Sequence, residues 1–211
     1  MGSRAGGNEE RAMPPARVAL GFKPHTGWAV VVALTGTPDG PTILLRRRIA
    51  LVPEDDSIPK HMYHAAQELG TIEGAKVVAR ATVACEKVAF DAVRAIVRDL
   101  RTQGKSVVCA GIATGSGKAP AELAAILRAH TLVHSAEGAF FVRMLAQACA
   151  ALKLEVIAAR EREVWDEAAA AWGLAPANLR SSIDGVRAVA GAPWSIDQKV
   201  ASAVALLALR T

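Results

Sequence analysis

Apolar and polar positions along this chain switch between two periods, and the switches mark its elements. Residues 17–22 form a short Ala/Val/Leu-rich run that reads as a strand. Residues 28–34 are almost wholly apolar, as in a strand covered on both faces, and residues 42–52 make a third strand. The stretches 23–27 and 35–40 are turns by their Pro and Gly content, so the three strands should form an antiparallel meander. From Pro59 to Thr102 the pattern is helical, with a break at Gly70 and Gly74, and Gly104 stops it. Residues 105–112 read as a fourth, buried strand, and 114–118 as a loop. Pro120 then opens a long helix towards Lys153. A fifth strand follows at 154–159, then helices at 161–172 and from Pro176, and a loop at 191–194. Ser195-Ile-Asp-Gln198 is a capping box for the final helix. The order is β-β-β-α-β-α-β-α with a helical insertion before the last helix. It predicts an α/β fold with a mixed five-stranded sheet flanked by helices, as one domain over residues 16–211. Residues 1–15 lack the apolar segment of a secretory signal and read as a disordered leader or tag.

Composition supports such a core. Of 211 residues, 52% are apolar, which argues against wholesale disorder. Only 4% are aromatic, too few for a surface that stacks unpaired bases on exposed rings. The net charge of +5 comes from 25 basic and 20 acidic residues spread along the chain. It permits phosphate-bearing partners without the concentrated basic face of a dedicated nucleic-acid binder. Cys85, Cys109 and Cys149 are isolated in apolar sequence with no CxxC spacing, and read as reduced core thiols of a cytoplasmic protein. No apolar run approaches the roughly 18–20 residues that cross a bilayer, so no membrane partner is expected.

The densest chemistry lies at His130-Thr-Leu-Val-His134-Ser-Ala-Glu137. The i, i+4, i+7 spacing puts both imidazoles and the carboxylate on one helical face. A divalent metal such as zinc accepts that donor set. His130, His134 and Glu137 are therefore the candidate metal ligands and, with Asp197, the candidate catalytic groups. HExxH is absent, so the face is not a metalloprotease signature. Open α/β sheets bind ligands at the carboxyl ends of their strands, and Lys23, His25 and Thr26 would offer donors to an anion there. His64 and Lys199 join the ligand-binding candidates. His61, beside Lys60, is expected to face solvent, and Glu161 and Glu163 after the fifth strand are secondary. Asp197 sits at the second position of the last helix, where the helix dipole favours an acid. The segment from Gly111 to Lys118 is not a P-loop: Ile112 stands where the first Gly is required and Ala119 where the hydroxyl is. Its free amides could still hold an anion. Arg46, Arg47 and Arg48 suit an outer strand guarded against edge-to-edge pairing; the alternative is a nucleic-acid contact.

The element order is similar to that of the ribonuclease-H-like superfamily. Leu20-Gly-Phe-Lys-Pro-His-Thr-Gly-Trp-Ala-Val-Val31 resembles the opening motif of its Holliday-junction resolvases, Leu-Gly-x-Asp-Pro-Gly followed by Thr-Gly and an apolar strand. Asp197-Gln-Lys-Val-Ala-Ser-Ala-Val-Ala-Leu-Leu207 resembles their Asp-bearing last helix. The resemblance implies that this helix start approaches the first strand, where Asp197 could orient a histidine or a water. Two departures stand against an inherited mechanism. Lys23 falls where the motif has its first metal-binding aspartate, and residues 106–113 contain no acid where the family offers a glutamate. Two-metal chemistry needs several anionic oxygens to hold cations about 3.5–4 Å apart. Over most of its length the chain more closely resembles a group of bacterial proteins of similar size with no assigned activity. The likeness lies in His25-Thr-Gly-Trp28, Tyr63-His-Ala-Ala66, residues 130–138, Glu161-Arg-Glu-Val-Trp165 and Pro193-Trp-Ser-Ile-Asp-Gln-Lys199.

The leading expectation is a ribonuclease-H-like domain whose nuclease carboxylates are replaced by one Lys/His/Glu/Asp pocket for a small anionic or phosphorylated ligand. Lys23 and His25 would hold the anion, and a histidine of the pair at 130 and 134 would move protons. One alternative is a non-catalytic module binding nucleic acid or protein through Arg46, Arg47 and Arg48. The other is a metal-dependent hydrolase built on His130, His134 and Glu137.

Overall fold

The computed structural model describes residues 16–54 and 57–211; the leader expected at 1–15 lies outside them. Strands β1 (Arg17–His25), β2 (Trp28–Thr35) and β3 (Thr42–Ala50) form the expected meander. Strands β4 (Ser106–Thr114) and β5 (Glu155–Arg160) run parallel to β1, giving the order β3-β2-β1-β4-β5. This is the mixed five-stranded sheet that the element order predicts. The three inner strands are the near-continuous apolar runs, and the polar-bearing β3 and β5 take the edges.

Each face of the sheet is covered by its own helices. Helices α1 (Met62–Thr102) and α3 (His130–Ala151) bury Val18, Leu20, Phe22, Phe140 and Phe141 on one side. On the other side α4 (Val164–Ala171), α5 (Pro176–Gly185) and α7 (Ile196–Arg210) enclose Ala19, Val30, Val32, Trp165 and Val204. Two single-turn helices, α2 (Leu123–Ile126) and α6 (Arg187–Ala190), complete the set. None of the described helices is long and apolar enough to cross a membrane.

Two boundaries differ from the sequence reading, while the expected break in the first helix is present. β1 runs on to His25, so the turn shrinks to Thr26 and Gly27, closed by the pair His25–Trp28. Pro24 is tolerated there because the parallel pairing with β4 ends at Phe22, leaving no donor demanded on that side. As expected, α1 is interrupted at Gly70, whose φ of 79° is non-helical, and Gly74 lets the chain press against the Ala66 backbone. The helix expected from Pro120 is instead broken at Ala129, which is extended at φ −141° and ψ 130°. The side-chain amide of Gln67 donates to the part-buried Leu127 carbonyl at 3.0 Å, answering a group that helix would have satisfied. The break makes His130 the first residue of α3.

The insertion before α7 is tied down by the edge strand. Arg46 donates to the carbonyls of Gly191, Ala192 and Pro193, and Arg48 lies 3.9 Å over the Trp28 ring. Two of the three consecutive arginines thus hold the fold itself. Ser195 caps α7, and its reciprocal bond with Gln198 forms the expected box.

Replacing Gly21 by Ala should destabilise the protein by about 3 kcal/mol or more, beyond ordinary overpacking. An added Cβ would meet the Ala201 carbonyl oxygen of α7 at 1.8 Å, and backbone cannot swing aside. Urea unfolding of G21A checks this, and equal midpoints for the two proteins would contradict it. The cysteines give a second expectation. All three are free and buried, and burial pushes the Cys85 and Cys109 thiols up to about 11 and Cys149 to about 12. A thiol reagent at pH 8 should therefore label none in the native state and all three in denaturant.

Candidate functional site

Strand alternation divides the candidate residues between the two faces. Along β1, Val18, Leu20 and Phe22 point to the α1/α3 side, whereas Ala19 and Gly21 meet α7. Lys23 and His25 continue the second series and emerge on the α7 side at the strand's carboxyl end. Glu137 and the histidines at 61, 64, 130 and 134 sit at the starts of α1 and α3, on the opposite side. The single pocket expected from the sequence is corrected to two clusters. Among the described residues, no hydrogen bond, ion pair or ring contact joins one to the other.

In the first cluster every charge is answered internally. Lys23 Nζ lies 2.7 Å from Glu161 Oε2, its side chain only 15% exposed. His25 Nε2 approaches Asp197 Oδ2 at 3.1 Å, and its ring stacks on Trp28 at 4.0 Å. That approach lacks hydrogen-bond alignment, so the sealed Nε2 has no hydrogen-bond partner despite the nearby carboxylate. Lys199 Nζ pairs with Asp184 of α5 at 2.9 Å. Thr26 occupies the half-buried hairpin turn. Asp197 does approach β1, as the resemblance implies. An anion reaching Lys23 would have to displace Glu161, so this cluster reads as a set of ties among β1, the end of β5, and α7.

The second cluster has a different character. His130 and His134 bring their Nε2 atoms to 2.9 Å from each other. The His64 ring stands edge-on to both, with centroids 5.3 Å from His130 and 4.7 Å from His134. Glu137 is 2% exposed and turns away from its helix neighbours towards α1. Its Oε2 meets His64 Nδ1 at 2.7 Å, while Oε1 accepts the Tyr63 backbone N–H at 3.2 Å. The expected metal set of His130, His134 and Glu137 is therefore rearranged. A ligand atom from each of His64, His130 and His134 lies within 4.8 Å of the others, and Glu137 stands behind His64. His61, assigned to solvent from the sequence, is exposed but lies edge-on to His64 at 5.5 Å.

Beside this cluster runs a groove of about 630 Å³ at the carboxyl ends of β4 and β5. One wall is a face of α3 carrying His134, Ser135, Gly138, Val142 and Arg143; the other is the loop 115–118 with Arg160. Gly117 packs so closely that a Cβ there would meet Ser135 Oγ at 2.5 Å. The loop singled out as a failed P-loop thus lines a cavity without opening a helix. Arg143 carried no sequence signal: it reaches the same wall through the i, i+4, i+8 stripe of α3 formed by Ser135, Ala139 and Arg143.

No protein-family model matches the sequence, and no curated protein matches it. Among solved structures, Thermus thermophilus RuvC is similar at a TM-score of 0.51 and 13% identity, over 90% of this chain and 91% of that one. The same values hold for T. thermophilus RuvC in complex with Holliday junction substrate. With the sheet order and the flanking helices, the likeness shows a ribonuclease-H-like fold.

Removing the buried carboxylate should be costly. Glu137→Ala leaves the Tyr63 N–H and the His64 Nδ1–H without their acceptor, a loss of about 1–3 kcal/mol for each group that water does not reach. The drop in the thermal midpoint measures it, and an unchanged midpoint would show that Glu137 does not hold α1 to α3.

Proposed function

We propose that this ribonuclease-H-like domain binds a small phosphorylated or otherwise anionic ligand in the groove beside α3, and that it does not work by two-metal nuclease chemistry. The lining of the groove carries the reading. Lys118, Arg143 and Arg160 face it together with the hydroxyl-bearing Thr114, Ser116 and Ser135, and among the described residues no carboxylate lines it. Arg160 is shared with Glu163 at 3.3 Å; the other two cations have no such partner among the described residues. A phosphate oxygen accepts charge-assisted hydrogen bonds from this donor set, and the site lies where open α/β sheets bind ligands.

The nuclease half of the proposal rests on the residues at the carboxyl end of β1. A metal pair held there would need anionic oxygens. Lys23 stands at that end engaged with Glu161, β4 supplies no acid, and Asp197 faces His25. These residues do not fit two divalent cations.

A phosphodiester offers the same chemistry as a small phosphate, and one similar structure is a complex with a Holliday junction. The test therefore has two arms. Calorimetry with inorganic phosphate or a mononucleotide should show saturable binding, weakened about tenfold or more by Arg143→Ala or Lys118→Ala, the loss of one charged hydrogen bond. Lys23→Ala should leave that affinity unchanged. Binding only to oligonucleotides, with a steep fall in added salt, would transfer the groove to the nucleic-acid reading. No anion binding at all, or equal affinity in R143A, would end the proposal.

A further inference from the structure

We infer that His64, His130 and His134 form a mononuclear site for a divalent transition metal, with Glu137 as the carboxylate that orients His64. The inference goes beyond the anion-binding reading and does not depend on it.

Three observations carry it. The first is convergence: two helices bring three imidazoles to one point, with donor atoms within 4.8 Å of each other. Four-coordinate zinc holds its imidazole nitrogens about 2.0–2.1 Å away, which puts ligand nitrogens about 3.3 Å apart. His130 Nε2 and His134 Nε2 are 2.9 Å apart, so a separation of a few tenths of an ångström converts the pair into two metal ligands. The i, i+4 spacing at the start of α3 supplies that geometry.

The second is the tautomer of His64. Glu137 is buried, and an ionised carboxylate only accepts hydrogen bonds. The 2.7 Å contact therefore places a proton on His64 Nδ1, so in the neutral ring it is Nε2 that offers its lone pair to a metal. Metal-binding histidines ordinarily donate their second nitrogen to a carboxylate or carbonyl in this way. Tyr63 N–H holds the other carboxylate oxygen, so the orienting group is itself fixed.

The third is access combined with charge. His130 and His134 are exposed and His64 half-buried, which opens the site to an ion from solvent. Three neutral imidazoles leave the full double charge on the metal. His134 also lines the cationic groove, so the ion would sit at its rim and add to its attraction for an anion. A rival set of His61, His64 and Glu137 shares one histidine. It is disfavoured because both Glu137 oxygens are already engaged, one of them by the backbone of α1.

The experiment uses full-length protein without a histidine tag, stripped by chelator and titrated with Zn2+ by calorimetry and with Co2+ by visible absorption. One equivalent should bind, with Co2+ giving the intense bands of a low-coordinate nitrogen site. His130→Ala and His134→Ala are surface changes that preserve the fold, and each should weaken binding at least a hundredfold. Glu137→Gln keeps a hydrogen-bond acceptor and should cost about 10–100-fold. His25→Ala and His61→Ala should bind as the parent does. Absence of stoichiometric binding, or binding that survives H130A and H134A, would overturn the site. Loss in H61A with retention in H130A would do the same and point to the rival set. Phosphate affinity measured on the stripped protein separates a failure here from a failure of the groove.

Discussion

Helix α7 can lie against this sheet only because β1 and β4 carry glycine where it crosses them. A Cβ at Gly21 would sit 1.8 Å from the Ala201 carbonyl oxygen, and one at Gly111 2.2 Å from that of Val204. Alanines at 201 and 205 keep the helix side of the Gly21 contact equally flat, and Val200 to Leu206 are all buried. The close approach sets the height of α7 over the sheet. It therefore fixes where the helix begins, and Asp197 at its second position reaches His25 at the end of β1. Arg46 holds the preceding loop from the edge strand, so the helix start is located from both sides.

The same constraint explains why the carboxyl end of β1 reads as structure. Lys23 is mostly buried, and a buried cation needs a paired anion. Glu161 answers it from the residue after β5, which continues the ladder by donating its N–H to the Thr114 carbonyl at 2.9 Å. An acid at position 23 would have left this end of the sheet rich in negative charge and suited to cations. A lysine reverses the demand, and the neighbouring carboxylate neutralises it. The uncommitted chemistry is displaced to the starts of α1 and α3 and to the groove beside them.

The architecture was legible because its signals are local and strong. Apolar runs marked the inner strands, the three arginines the outer position of β3, and the Ser195 to Gln198 box the last helix. The helix expected from Pro120 shows where local signals stop. Nothing in its Ala/Leu-rich composition forbids continuing through Ala129; the break stands because Gln67, 60 residues away, answers a freed carbonyl. The candidate site was legible as a set of residue types rather than as a set of partners. His130 and His134 were paired correctly by helical spacing alone. Glu137, on the same face by that spacing, is drawn inward by Tyr63 and His64, which are 74 and 73 residues distant. Arg143 was invisible, since one arginine on a helix carries no pattern.

The sequence by itself determined the order and type of the elements, the two-sided burial of the inner strands, and the i, i+4 contact of His130 with His134. Each follows from periodicity or steric size, which act over a few residues. Only the tertiary structure decided which charges answer one another. Lys23 with Glu161, Lys199 with Asp184 and His64 with Glu137 are partnerships between segments that the chain brings together only by folding. Electrostatic partnership depends on distance in space and on burial, and neither is written in spacing along the chain.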